Sequence, residues 1–204
     1  MRLTNLPLGV DPSARWARVI SNLISPPVVW AVLAFPIAWQ HAPSRAHAII
    51  WALIYGVLVC LLPMLYIAWM VQRGRITDLH LKYRHERLLP FLVSVLCTGA
   101  AWFILRWTGA PPLVPLLAAV TLAQLVMMTL ITLVWQISMH AMSIASAVTA
   151  TALLFGALPA LAVAPLVPLV GAARLKLRRH TPAQVIAGTL VGALVTVALV
   201  VTAL

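Results

Sequence analysis

Two histidines in this sequence stand at the edges of apolar runs, each beside a residue suited to holding an anion. The first closes the stretch Trp135-Gln136-Ile137-Ser138-Met139-His140; the second, His180, follows Arg174 and precedes Gln184 in GAARLKLRRHTPAQVIAG. A third polar stretch, DLHLKYRHERLLPF from Asp78 to Phe91, adds lysine, arginine and histidine. Imidazole changes protonation near neutral pH, and it can attack phosphorus and later leave. Guanidinium and ammonium groups neutralise the equatorial oxygens of a transferring phosphoryl group. These residue types therefore suit phosphate chemistry. The plainer alternative is solvated loops, with Arg178 and Arg179 anchoring the chain to lipid headgroups.

Local signals position the histidines. Ser138 can cap the helix that follows it, where free backbone N–H groups favour an anion, and His140 would lie in that helix's first turn. Thr181-Pro182-Ala183-Gln184 reads as a helix start, with Thr181 at the N-cap, Pro182 at the first helical position and Gln184 at the third. That explains Gln184 without any catalytic role, and it sets His180 just ahead of a helix N-terminus.

The elements that must carry these residues are apolar helices. Of 204 residues, 63% are hydrophobic and 8% charged, a composition foreign to a water-soluble domain. Seven apolar segments fall at roughly 19–40, 47–71, 89–107, 112–135, 140–158, 160–173 and 182–203. The sixth is short and holds Pro159, Pro165 and Pro168, so it is expected to tilt, kink or span only partly. Trp39, Trp69, Trp107 and Trp135 fall near segment ends, as in an aromatic belt. The expectation is an all-α polytopic transmembrane bundle of six to seven spans: a segment 1–18 on the cytoplasmic side, then one helical domain over 19–204. No signal peptide stands out at the start of the sequence. Cys60 and Cys97 lie inside apolar runs and read as small buried hydrophobes.

Seven crossings sort the loops onto two faces. The face with the N-terminus, 72–88, 136–140 and 174–181 carries twelve of the Lys and Arg residues, and the other only Arg45 and Arg106. The positive-inside rule places the basic face in the cytoplasm. We expect an integral protein of a bacterial inner (cytoplasmic) membrane, with all three polar stretches on its cytoplasmic face. The net charge of +11 sits in short loops, so anionic or phosphorylated lipid, and not nucleic acid, is the expected partner. Gly188 and Gly192 form a GxxxG in the last segment; internal packing is the favoured reading over a homodimer face.

Taken in order, the three stretches resemble the type 2 phosphatidic acid phosphatase (PAP2) superfamily, whose pattern is K-x6-R-P, then P-S-G-H, then S-R-x5-H-x3-D. Here Lys82 is followed seven residues later by Leu89 and then Pro90. The second motif reads Ile137-Ser138-Met139-His140, and the third Ala173-Arg174, five residues, His180, three residues, Gln184. The resemblance spans about 78–192 and implies a PAP2-like helical core. It implies His180 as the nucleophile that forms a phosphohistidine and His140 as the acid that protonates the leaving oxygen. Lys82, Ser138 and Arg174 would hold phosphate, with no metal or cofactor. Three positions depart from the pattern. Leu89 replaces a phosphate-binding arginine, whose charge Arg87 or Arg84 can supply from a shifted position. Gln184 replaces the aspartate that orients the nucleophile, and its carbonyl can still accept from an imidazole N–H. Met139 replaces a glycine that lets backbone approach phosphate.

The implied activity is metal-independent hydrolysis or transfer of a lipid phosphate, with phosphatidic acid, phosphatidylglycerol phosphate and polyprenyl phosphate all fitting the geometry. The alternative is a weak or inactive PAP2-like protein that binds lipid or serves as an accessory subunit of a larger membrane complex. An intramembrane prenyltransferase is disfavoured because Asp11, Asp78 and Glu86 are the only acids and form no paired Mg²⁺-binding motif. A proton- or sodium-coupled transporter is disfavoured because no acid lies within a helix.

Overall fold

The computed structural model describes residues 12–203, all-helical with connecting loops. Arg2, Asp11 and most of the expected segment 1–18 lie outside the described residues. A short 3₁₀ turn, Pro12–Ala14, leads directly into helix α1, Arg15–Leu23, so the end of that segment is already helical. The expected single span 19–40 is a pair, α1 and α2 (Pro26–His41), bent by 42°. Pro26 and Pro27 explain the break: neither has an N–H to donate back into α1, while both suit the start of α2.

The next span joins α3 (Arg45–Tyr55) to α4 (Leu62–Gln72) through a π-helical turn, Gly56–Leu61. Pro63 cannot complete an ordinary i→i−4 bond, and Leu62 N–H bonds Val57 O instead, which widens the turn. Then come α5 (Leu88–Trp107), α6 (Leu113–Val134) and α7 (Met139–Phe155). The sixth segment is longer than expected. It is built from α8 (Ala157–Val163) and α9 (Leu166–Lys176), which together form a 20-residue run able to cross a membrane. Finally, α10 covers Pro182–Ala203. Five such runs, with the bent pair as a sixth, make this an integral membrane protein.

Helix α7, only 17 residues long, is the axis of the bundle. Its Ala141, Ser143, Ala145, Ser146, Ala147 and Ala150 are buried, and such small side chains let neighbouring backbones approach closely. Helix α10 uses that space most fully. A Cβ on Gly188 would stand 2.5 Å from Ser138 O, and one on Gly192 would collide with Met142 O. The GxxxG is therefore spent on internal packing, which clamps α10 to α7 in one register. A polar knot holds the centre: Gln124 Nε2 donates to Ser146 Oγ at 2.7 Å and to Thr196 Oγ1 at 3.2 Å, tying α6, α7 and α10 together. Trp39, Trp69, Trp107 and Trp135 are all exposed near helix ends, as a belt requires.

Candidate active site

The three polar stretches meet at one end of the bundle. The loop between α4 and α5, the α6–α7 junction and the α9–α10 loop enclose a cavity of about 300 Å³. Five histidine and arginine side chains line it: His80, Arg87, His140, Arg174 and His180. Its remaining wall is largely apolar, with Trp30, Val59, Met64, Ile67 and Leu125 among the contributors. A cationic end thus adjoins a hydrocarbon-lined interior.

His140 projects from the first turn of α7, whose start is fixed by two bonds. Ala141 N donates to Ser138 Oγ at 3.3 Å, and Ser138 N donates to Gln184 O at 3.0 Å. His140 Nε2 lies 3.1 Å from Ser21 O on α1. A carbonyl can only accept, so Nε2 carries the proton of that bond, leaving Nδ1 for other work. His80 stacks on His140 with ring centroids 5.7 Å apart.

His180 is held by the capping box expected from the sequence. Gln184 N donates to Thr181 Oγ1 at 3.3 Å, and Thr181 N donates to Gln184 Oε1 at 3.1 Å. The second bond fixes which end of the glutamine amide is oxygen. That oxygen also lies 3.3 Å from His180 Nδ1, so Nδ1 must donate and Nε2 keeps its lone pair. Gln184 thus serves helix start and imidazole at once. His180 is buried, and its pKa is lowered to about 3 by that burial and by the charges of Arg174 and Arg87, against which the Gln184 bond works only partly. The imidazole is neutral at pH 7.

The arginines are the electrostatic core. Arg87 is 3% exposed and Arg174 2%. Arg87 Nε donates to Leu81 O at 2.8 Å; Arg174 Nη1 reaches Ser21 Oγ at 3.5 Å, while its buried Nε has no partner. Among the described residues neither pairs with a carboxylate, for Asp78 pairs with Arg179 at 2.6 Å. Buried cations without a counter-charge are costly and strongly favour a bound anion. Asp78 also accepts His80 N–H at 2.7 Å, so one carboxylate joins the α4–α5 loop to the α9–α10 loop. Burial works against its ionised form, yet the Arg179 bond and charge and the His80 N–H hold its pKa below the ordinary value. Burial and the charges of Arg174 and Arg179 lower the pKa of His80, outweighing Asp78.

His140, His180, Arg174 and Arg87, four of the residues expected from the sequence, converge on this cavity. Gln184 supports it from behind. Ser138 is fully buried and uses its hydroxyl as the α7 cap. Lys82 lies elsewhere: it is exposed, with Nζ 5.3 Å from the Tyr83 ring centre. Lys82 and Leu89 do not line the cavity; His80 and Arg87, also seven residues apart, do. His80 carried a partial signal, since His80-x6-Arg87 keeps the K-x6-R spacing, with histidine for lysine and Leu88 where the pattern has proline. The Ser21 carbonyl carried none. Arg178 is exposed, as an anchor would be, whereas Arg179 is engaged with Asp78.

The fold and site define a polytopic helical membrane protein with a buried histidine–arginine centre suited to an anion. Residues 132–203, which hold the second and third polar stretches, match the family model of the PAP2 superfamily. The first stretch lies outside the matched residues. Neither the curated proteins nor the solved structures yield a match.

Proposed function

We propose that the protein is a metal-independent lipid-phosphate phosphatase or phosphotransferase working through a phosphohistidine. The observation that carries this reading is the composition of the cavity, with three histidines and two buried arginines that pair with no described carboxylate at one end and hydrocarbon at the other. A lipid phosphate matches that division. Its head would meet Arg87, Arg174 and His80, and its tail would run along the apolar wall.

In this reading His180 Nε2 attacks phosphorus, and the bond from phosphorus to the lipid oxygen breaks. His140 enters the step protonated and gives its Nδ1 proton to that oxygen while Nε2–H stays on Ser21 O. Neutral His140 then takes a proton from water, whose oxygen attacks phosphorus; the P–N bond breaks and His180 is restored. Arg87 and Arg174 hold the equatorial oxygens throughout. The site would face the cytoplasm of a bacterial inner membrane, as the loop charges favour. The second reading, a lipid-binding or accessory protein with little turnover, draws on Gln184: an amide orients the nucleophile but adds no charge to stabilise an imidazolium.

The test is phosphate release by purified protein from a panel of lipid phosphates with EDTA present, against His180→Ala. Release that the variant abolishes, with an acid-labile phosphoryl group trapped on the wild-type chain, supports the enzyme. No release above the variant from any lipid refutes it and leaves the binding role.

A further inference from the structure

Beneath the cationic end of the cavity lie two polar groups that the proposed chemistry does not use. Ser143 follows His140 by three residues on α7, so it shares that face about one turn, roughly 5 Å, further into the bundle. Gln124 projects from α6, and both residues line the cavity. Buried hydroxyls here mostly bond the carbonyl four residues back: Ser94 to Pro90, Thr121 to Leu117 and Thr196 to Gly192. Ser143 does not, and its fully buried Oγ has no partner. Thr98 and Thr132 also lack partners, but neither lines the cavity. Gln124 is 1% exposed. Its amide N–H₂ faces Ser146 Oγ, Thr196 Oγ1 and the Gly192 carbonyl. The carbonyl can only accept, so the amide orientation is settled and Oε1 is left as a buried acceptor with no donor.

We infer that Gln124 and Ser143 form a subsite for a hydroxyl on the carbon next to the phosphate ester, which selects single-chain lipid phosphates of the 1-acylglycerol 3-phosphate type. The inference deepens the phosphatase reading and rests on it. Oε1 requires a donor, and Ser143 can donate or accept, so one ligand hydroxyl satisfies both. Phosphatidate carries an acyl ester at that carbon, which offers only acceptors. A polyprenyl phosphate offers hydrocarbon there and leaves both groups unmet. Phosphatidylglycerol phosphate has the hydroxyl, but it would press a second phosphate against Val59, Met64 and Ile67. The volume of about 300 Å³, at the small end of ligand pockets, also suits the start of one chain.

The test compares 1-oleoylglycerol 3-phosphate with 3-oleoyloxypropyl phosphate, the same lipid without the hydroxyl. Release of phosphate by the full chain in micelles is measured for wild type, Ser143→Ala and Gln124→Met. Wild type is expected to favour the hydroxyl lipid in kcat/KM by on the order of tenfold to a hundredfold, with the preference falling toward one in both variants. Equal wild-type rates would overturn the subsite, even if a variant fails to fold. A wild-type preference that survives in both variants would overturn its assignment to these residues. The phosphonate forms of both lipids, scored by protection against thermal unfolding, read binding separately. Hydroxyl-dependent protection without phosphate release would end the phosphatase reading and keep the subsite, whereas equal protection without release would end both.

Discussion

Acid should destabilise this protein through His180, by an amount that follows from its surroundings. The folded-state pKa is depressed to about 3 from an ordinary 6.5, first by burial and then by Arg174 and Arg87. A group with a lowered folded pKa contributes stability above its unfolded pKa and loses it as pH falls toward the folded one. The window is therefore pH 6.5 down to 3. Within it the unfolded chain takes up the proton and the folded chain does not, which costs about 1.4 kcal/mol per pH unit. Between pH 7.5 and pH 5 the loss is about 2 kcal/mol. His80, also lowered by burial and by Arg174, acts in the same direction, so the wild-type loss alone is not the measure. His180→Asn, neutral at every pH, removes the His180 share and keeps the rest. Unfolding in detergent, followed at both pH values for both proteins, isolates the difference. Wild type should lose about 2 kcal/mol more than the variant on acidification. Equal losses would mean that His180 is not held neutral by its burial and the neighbouring arginines, and the electrostatic account of the site would fall with it.

Other perturbations separate the roles of neighbouring residues. Arg87→Ala should cut kcat/KM for phosphate release by about 10²–10³, the scale for losing one transition-state donor, while Lys82→Ala stays within about threefold of wild type. A larger loss at Lys82 would restore the Lys82–Leu89 register. Gln184→Glu keeps the capping box and places a negative charge beside His180 Nδ1, so phosphate release at neutral pH should rise at least about tenfold, part of the roughly 10⁴ that a triad carboxylate contributes; a slower enzyme would show that the site depends on its uncompensated positive charge. Gly192→Leu drives a side chain into the Met142 carbonyl and should lower stability in detergent by about 1–3 kcal/mol or more, read as a lower unfolding temperature.

Much of this could be read from residue order, for reasons that differ by element. Long apolar runs fix helices through length and hydropathy alone, and Thr181-Pro182-Ala183-Gln184 fixes a helix start through local hydrogen bonding. Both kinds of signal are short-range, and both held. The break at Pro26 and Pro27 was visible in composition, but its 42° bend depends on what α1 packs against. The sixth segment reads as short, 160–173, and its three prolines point to a tilt, a kink or a partial span, whereas Pro165 only separates two helices that together make a 20-residue run. Register in the loop before α5 was the hardest. Lys82 matched the expected residue type and Pro90 the expected terminator, yet side-chain direction in a loop follows tertiary contacts, and Leu81 (φ 50°) turns the backbone between the two candidates.

Folding and the proposed chemistry draw on the same atoms at the α7–α10 contact. Gly188 lets the α10 backbone approach Ser138 closely, which brings Gln184 O within 3.0 Å of Ser138 N. That bond joins the residue orienting His180 to the cap that starts the helix of His140. The two histidines therefore share one rigid junction, and a displacement of α10 along α7 would move both together with the glutamine between them. A lysine or arginine can reach phosphate from a flexible loop, but a nucleophile and its acid must keep their spacing through the reaction. This divides the site physically. On its histidine side, His140 and the Gln184 that bonds His180 are built into two clamped helices within the matched residues 132–203, whereas His80 and Arg87 arrive on a loop joined to that side through the Asp78–Arg179 ion pair.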